Sequence, residues 1–164
     1  MLVIVLQAVA CGLGIYQSRT ENKKNIYLTT FLFNMSCLLV YLAIGEISTV
    51  LSYILITVRS YIYMFKDKLH YHIIPIGFIG IHLIIGFMSI TSPWQLLSIL
   101  APAFTCFYMW YGKDTQQLRL GNIVNASLWL IYNIYCGLYI LCVNRVITIG
   151  SNVIAYVQKR HSGK

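Results

Sequence analysis

Two arginines of this 164-residue chain, Arg59 and Arg145, stand inside long apolar stretches that contain no acidic residue. A guanidinium removed from water without a carboxylate partner needs an anionic ligand group, a lipid phosphate or backbone carbonyls. Arg59 lies seven residues before Lys66, about 10 Å along a helix. That is also short enough for its side chain to reach water at the nearer surface. A functional role is favoured for Arg59 because no acid lies inside the windows to neutralise it, whereas for Arg145 a functional role and a side chain that reaches water are about equally favoured.

Semi-polar stripes run along two of the apolar stretches. At about 100° per residue, the members of each stripe fall on one side of a helix. One stripe holds Thr30, Asn34, Cys37 and Tyr41, and the other holds Asn122, Asn125, Trp129 and Asn133. Such stripes can line a solute site between helices, or they can hydrogen-bond neighbouring helices at about 0.6 kcal/mol per bond.

The sequence contains no recognisable catalytic or metal-binding pattern. The sequence has no Ser/His/Asp set, no HExxH motif and no glycine-rich phosphate loop. His70 and His72 are two residues apart, do not share a helix face, and have no carboxylate or cysteine partner in sequence. We therefore expect no enzyme activity, no cofactor and no metal.

The elements that position these residues are apolar windows of about 16 to 20 residues, close to the roughly 20 helical residues that cross a bilayer. Hydrophobic residues make up 59% of the chain and charged residues 10%, which excludes an ordinary soluble domain. The windows are 1–16, 26–44, 47–65, 73–90, 94–111, 121–137 and 139–157. The sequence therefore predicts an all-α polytopic membrane protein with seven transmembrane helices.

The basic residues mark one side of this predicted bundle. The chain has 12 Lys and Arg against 4 Asp and Glu, and basic gaps alternate with gaps that hold no base. The ten bases outside the windows then lie on one side, which the positive-inside rule makes cytoplasmic. This predicts an external N-terminus and a cytoplasmic C-terminus, and it explains the net charge of +8 without a nucleic-acid partner.

An internal repeat relates the first three windows to the last three. Arg59, Tyr63 and Lys66 match Asn152, Tyr156 and Lys159 at an offset of 93, Tyr16 and Thr20 match Tyr111 and Thr115 at 95, and Gly45 matches Gly137 at 92. One extra crossing between the units makes them parallel. We predict three-helix bundles at 1–66 and 93–164, joined by a linker helix within 67–92, a 3+1+3 plan.

This plan, with several short motifs, resembles the YgjV-like bacterial inner-membrane family within the MtN3-like superfamily of SWEET, SemiSWEET, PQ-loop and PnuC proteins. The motifs are Ile56-Thr57-Val58-Arg59, Ser92-Pro93-Trp94-Gln95-Leu96-Leu97, Trp129-x3-Asn133-x3-Gly137 and Asn152-x-Ile154. The resemblance implies a multi-pass protein of the bacterial inner membrane with transporter ancestry. In sugar-transporting relatives a central asparagine of each unit helps to hold the solute. Asn152 matches that place, and Arg59 replaces it in the first unit, which argues against a plain neutral sugar.

The leading hypothesis is a facilitative carrier for a small polar metabolite, with an anionic group as one option. The two bundles would rock around a site formed by Asn34, Arg59, Trp129, Asn133 and Asn152. Trp129 would stack on the solute, the asparagines would hydrogen-bond it, and Arg59 would attract a negative group. The alternative is a non-transporting membrane subunit or lipid-interacting protein of the same fold. The expected partners are the solute and the lipid bilayer, and assembly with further copies is left open.

Overall fold

The computed structural model describes residues 2–45, 47–66, 68, 69, 71, 73–89 and 93–162, and all secondary structure in these segments is helical. Seven helices follow in the order α1 (Leu2–Arg19), α2 (Lys23–Ile44), α3 (Ile47–Tyr63), α4 (Ile73–Ser89), α5 (Gln95–Tyr111), α6 (Thr115–Tyr135) and α7 (Tyr139–Ser162). Each coincides with one predicted window, so the seven predicted helices are confirmed. The predicted boundaries at 67 and 92 lie outside the described residues.

One helix start differs from the expectation. The interval before the sixth window, which holds Asp114 and Arg119, was predicted to be a loop. Helix α6 instead begins at Thr115, because the Asp114 side chain accepts a hydrogen bond from the Gln117 backbone N–H at 2.7 Å and caps the helix. Arg119 is therefore a helical residue, and its side chain is only 3% exposed.

Helices α2 and α6 begin and end alike. Asn22 caps α2 as Asp114 caps α6, and these two residues are 92 positions apart. Gly45 and Gly137, also 92 apart, follow the two helices with φ angles of 78° and 70°. Glycine adopts this left-handed conformation without the penalty that a Cβ brings. The offset that relates these two helices in the sequence therefore also relates their ends in the structure.

The helices pack in a ring. Helix α2 packs between α1 and α3, α6 packs between α5 and α7, and α1 contacts α7. Helix α4 packs on α5, and α3 contacts both α4 and α5 more sparingly. Close approach depends on glycine at two of these interfaces: a Cβ at Gly86 would lie 2.3 Å from Ile99 Cγ1, and one at Gly121 would lie 2.1 Å from the ring of Tyr108.

The polarity of the fold is opposite to that of a soluble domain. Arg59, Arg119 and Arg145 are at most 3% exposed, whereas Ile84 and Phe87 are each 62% exposed. Both predicted stripes point inward, with Asn125 half-buried and the other seven members buried. By length and composition, α1 and α2 qualify as candidate membrane spans, and Thr49–Tyr63, Ile73–Met88 and Leu96–Tyr111 are shorter apolar helical segments.

Candidate functional site

A small cavity of about 40 Å³ lies at the centre of the ring. Six of the seven helices contribute to its wall. The wall holds three of the five predicted site residues, Asn34, Arg59 and Trp129, together with Arg145. A buried water needs about 10–15 Å³ of such space, so the cavity has room for about three waters. Sites for metabolites are typically about 300–1,000 Å³. The cavity must therefore widen before it can hold a solute of that size.

Arg59 approaches the cavity from α3 and is 1% exposed. Its Nη1 donates to the carbonyl oxygen of Pro102 at 2.9 Å and to Cys106 Sγ at 3.3 Å, both on α5. Its buried Nε has no hydrogen-bond partner among the described residues. Neutral acceptors orient this guanidinium, but they do not cancel its charge.

Arg145 reaches the same cavity from α7 and is 3% exposed. Its Nη2 donates to the hydroxyl of Tyr53 at 2.6 Å. The guanidinium carbon lies 5.2 Å from the ring centre of Phe33 and 5.6 Å from that of Trp129. Cation–π contacts of this kind partly offset the loss of hydration. An aromatic box therefore holds the second buried cation.

The remaining wall mixes polar and apolar side chains, and no described residue in it carries a negative charge. Thr30, Thr105, Asn122 and Asn125 contribute hydroxyl and amide groups. Among the described residues, no carboxylate lines the cavity: Glu21 pairs with Lys159 at the helix ends, and Asp114 caps α6. The other two acids of the chain, Glu46 and Asp67, lie outside the described residues.

The predicted site residues divide into two groups. Asn34 lines the cavity and donates from Nδ2 to Ser60 Oγ at 2.9 Å, and Trp129 lines it beside Tyr53, with ring centres 5.3 Å apart. Asn133 and Asn152 are fully buried but lie outside the described lining. Asn133 Oδ1 accepts from the Tyr41 hydroxyl at 3.2 Å, and Asn152 Nδ2 donates to the carbonyl of Thr148 in its own helix.

The hydrogen bond between Tyr41 and Asn133 joins α2 to α6 across 92 positions of the chain. The same offset separates Gly45 from Gly137 in the predicted repeat.

Two basic residues, Arg119 and Arg145, have no predicted role in the site. The role of Arg145 could not be decided from sequence, because the direction of a side chain depends on packing that periodicity does not show. Arg119, expected in a loop, donates from Nε to the Ser18 carbonyl of α1 at 3.0 Å and from Nη1 to Gln116 Oε1 at 3.3 Å. The spacing of Asp114 and Gln117 is a capping signal that could have located this helix start.

The other chemical groups that attracted attention in the sequence form no further site among the described residues. The five cysteines are free thiols in the structure. No cluster of metal-ligating side chains occurs within the described segments. His70 and His72 lie outside those segments.

Comparison with known proteins identifies the family and leaves the activity open. No curated protein and no solved structure matches the chain. A sequence model of the Imp-YgjV family, described as bacterial inner membrane protein, matches residues 1–162. Nearly the whole chain is covered, including every helix that forms the central cavity. The protein therefore belongs to the Imp-YgjV family of bacterial inner membrane proteins.

Proposed function

We propose that the protein is a facilitative carrier for a small polar metabolite that bears a negative group. The observation that carries this proposal is the pair of buried guanidiniums, Arg59 and Arg145, which line one cavity without a described carboxylate. Leaving charge at membrane depth is expensive, and such residues commonly mark substrate pathways. An anionic solute would neutralise part of this charge and would take hydrogen bonds from guanidinium and amide donors.

The proposed architecture is a seven-span bundle of two parallel three-helix units with α4 as the linker, as in the MtN3-like superfamily. The inward polar stripes, the exposed apolar side chains and the matched ends of α2 and α6 support it. The units meet at α1–α7 and at α3–α5. Rocking at these two interfaces would widen the cavity toward one side of the membrane and then toward the other.

The proposed roles follow from position. Arg59 and Arg145 bind the negative group, Asn34 hydrogen-bonds the solute, and Trp129 packs on it; all four line the cavity. Asn133 and Asn152 support the site from behind the wall, since both are buried against other helical groups. No described acid is available to carry a coupled proton at the cavity, so transport down a gradient is favoured.

Counterflow in proteoliposomes tests the proposal directly. Labelled monocarboxylates, dicarboxylates, sugar phosphates, amino acids and sugars form the panel. We expect exchange of at least one anionic class, and a loss of about thirtyfold or more in Arg59→Met and Arg145→Met, because losing one partner of a buried charged contact costs about 2–5 kcal/mol. Lys24→Met, which removes an exposed charge, is the matched control. Absence of exchange across the panel, or unchanged exchange in both arginine variants, would sink the carrier proposal.

Water access separates a carrier from a non-transporting subunit. In a cysteine-free background, Asn125→Cys places a thiol in the cavity wall, and Val124→Cys places one on the exposed apolar side of α6. A membrane-impermeant thiol reagent should label position 125 and leave position 124 unlabelled. A dry position 125 under all solute conditions would favour the subunit.

A further inference from the structure

A second concave surface lies apart from the central cavity, at the end of the bundle where α1 finishes. This groove of about 730 Å³ runs between α1 and α7 and reaches the first turns of α6. Its volume falls within the usual range of about 300–1,000 Å³ for small-molecule sites. The groove is lined by Ile15, Arg19, Glu21, Arg119, Ile147, Gly150, Ser151, Ile154, Ala155, Gln158 and Lys159.

The groove has one charged end. Arg19, Arg119 and Lys159 stand there with a single acid, Glu21, which leaves a net charge of +2. Arg119 is 3% exposed and is held by the carbonyl oxygen of Ser18, so its guanidinium is oriented in advance. The Glu21 carboxylate forms an ion pair with Lys159 at 2.9 Å and partly neutralises that one base. Arg119 also acts on the Glu21 carboxyl through its charge, but one acid cannot balance three bases, and this end is complementary to an anion.

The rest of the groove is apolar and open. Ile15 and Ile154 are 37% and 58% exposed, and Ile147 and Ala155 continue the same wall. A Cβ built at Gly150 would meet no atom within 4 Å, so the floor of the groove has unfilled space. A free phosphate would leave this apolar wall unused, whereas an acyl chain would cover it.

We propose that this groove binds an anionic phospholipid, with its phosphate at Arg19, Arg119 and Lys159 and an acyl chain along Ile15, Ile147 and Ile154. Basic pockets between helices at the cytoplasmic side of a membrane suit anionic headgroups. The groove is separate from the arginines of the central cavity, so the proposal stands or falls independently of transport.

Titration of the full-length protein in a neutral detergent tests the proposal. Phosphatidylglycerol, phosphatidylethanolamine and inorganic phosphate are added in parallel, and bound lipid is counted by native mass spectrometry. We expect one phosphatidylglycerol molecule to be retained in preference to the zwitterionic lipid, with no competition from phosphate. Equal retention of phosphatidylethanolamine, or displacement of lipid by phosphate at equal concentration, overturns the proposal.

Two variants locate the site. Removing the two bases that are not buried, with Arg19→Ala and Lys159→Ala, should weaken phosphatidylglycerol binding by tenfold or more, because each surface base contributes on the order of a fivefold gain. Gly150→Leu should weaken it by filling the groove while the charge is unchanged. Lys24→Ala with Lys68→Ala removes two exposed bases elsewhere and serves as control for the charge. Gly12→Leu, at another open glycine, is the control for size. Unchanged binding in both groove variants, or an equal loss in the controls, refutes the assignment.

Discussion

The α1–α7 and α3–α5 interfaces occupy equivalent places in the proposed repeat, yet different side chains build them. At α3–α5, three long side chains donate to backbone carbonyls of α5: Arg59 to Pro102, Tyr63 to Cys106, and Lys66 to Met109 and Trp110. At α1–α7 the helices meet through a small residue, Gly14 beside Thr148, and through an amide pair in which Asn144 donates to Gln7 at 3.0 Å.

The repeat mates of the α5-binding side chains bind differently. Asn152 donates within its own helix, and Lys159 pairs with Glu21 beyond the end of α1. An offset of 95 relates Gly14 of α1 to Met109 of α5, and Met109 is buried. If the repeat holds, one of its two interfaces is made by directional hydrogen bonds and the other by close packing. Three changes test this contrast, in order of expected effect.

Exchanging the residue types at positions 59 and 152, which the predicted repeat pairs, should lower the free energy of unfolding by unequal amounts. Asn152→Arg introduces a charge at a fully buried position where the carbonyls of α5 are not available, and we expect a loss of about 3 kcal/mol or more in the free energy of unfolding. Arg59→Asn removes a charged donor and should cost about 1–3 kcal/mol. Denaturant titration of the detergent-solubilised protein measures both. Ser151→Arg, one residue away and facing the groove, is the control. Equal costs for the two exchanges would mean that the interfaces are equivalent after all.

Giving α1 the side chain that α5 carries should disrupt the close-packed interface. In Gly14→Met the Cβ would already lie 3.2 Å from Thr148 Oγ1, and the longer side chain must displace α7. We expect a destabilisation of about 1–3 kcal/mol, which is the usual cost of overpacking. Gly12→Met, where a Cβ meets nothing within 4 Å, should leave the melting midpoint near that of the wild type. A tolerated methionine at position 14 would show that α1 and α7 are not held by close approach.

The ion pair at the end of the α1–α7 interface should have the smallest effect, and it should depend on pH. A hydrogen bond from Lys159 holds the pKa of the Glu21 carboxyl below its ordinary value of 4.5. A lowered folded-state pKa contributes stability above the ordinary value, and this contribution is lost as the pH falls through the lowered one. The melting midpoint of wild type should therefore exceed that of Glu21→Gln at neutral pH, and the difference should vanish in acid. A difference that persists in acid would exclude the ion pair as its source.

The seven helices were predictable from sequence because hydropathy acts over whole helices. The start of α6 was missed because Gln116, Gln117 and Arg119 make its first turns polar, although the spacing of Asp114 and Gln117 signals a cap. Arg59, Asn34 and Trp129 line the cavity, which agrees with a buried charge and an inward stripe, while their binding of a solute stays a prediction. The position of Asn133 behind the cavity wall could not be predicted, because it depends on a hydrogen bond to Tyr41 of another helix, which periodicity within one helix does not show.

The Tyr41–Asn133 hydrogen bond favours one alignment of α2 against α6. A phenol donor meets a carboxamide acceptor, with both side chains fully buried. Sliding either helix by one turn would separate these groups and leave both buried without each other, which costs free energy. This single contact therefore acts against other alignments of the two helices.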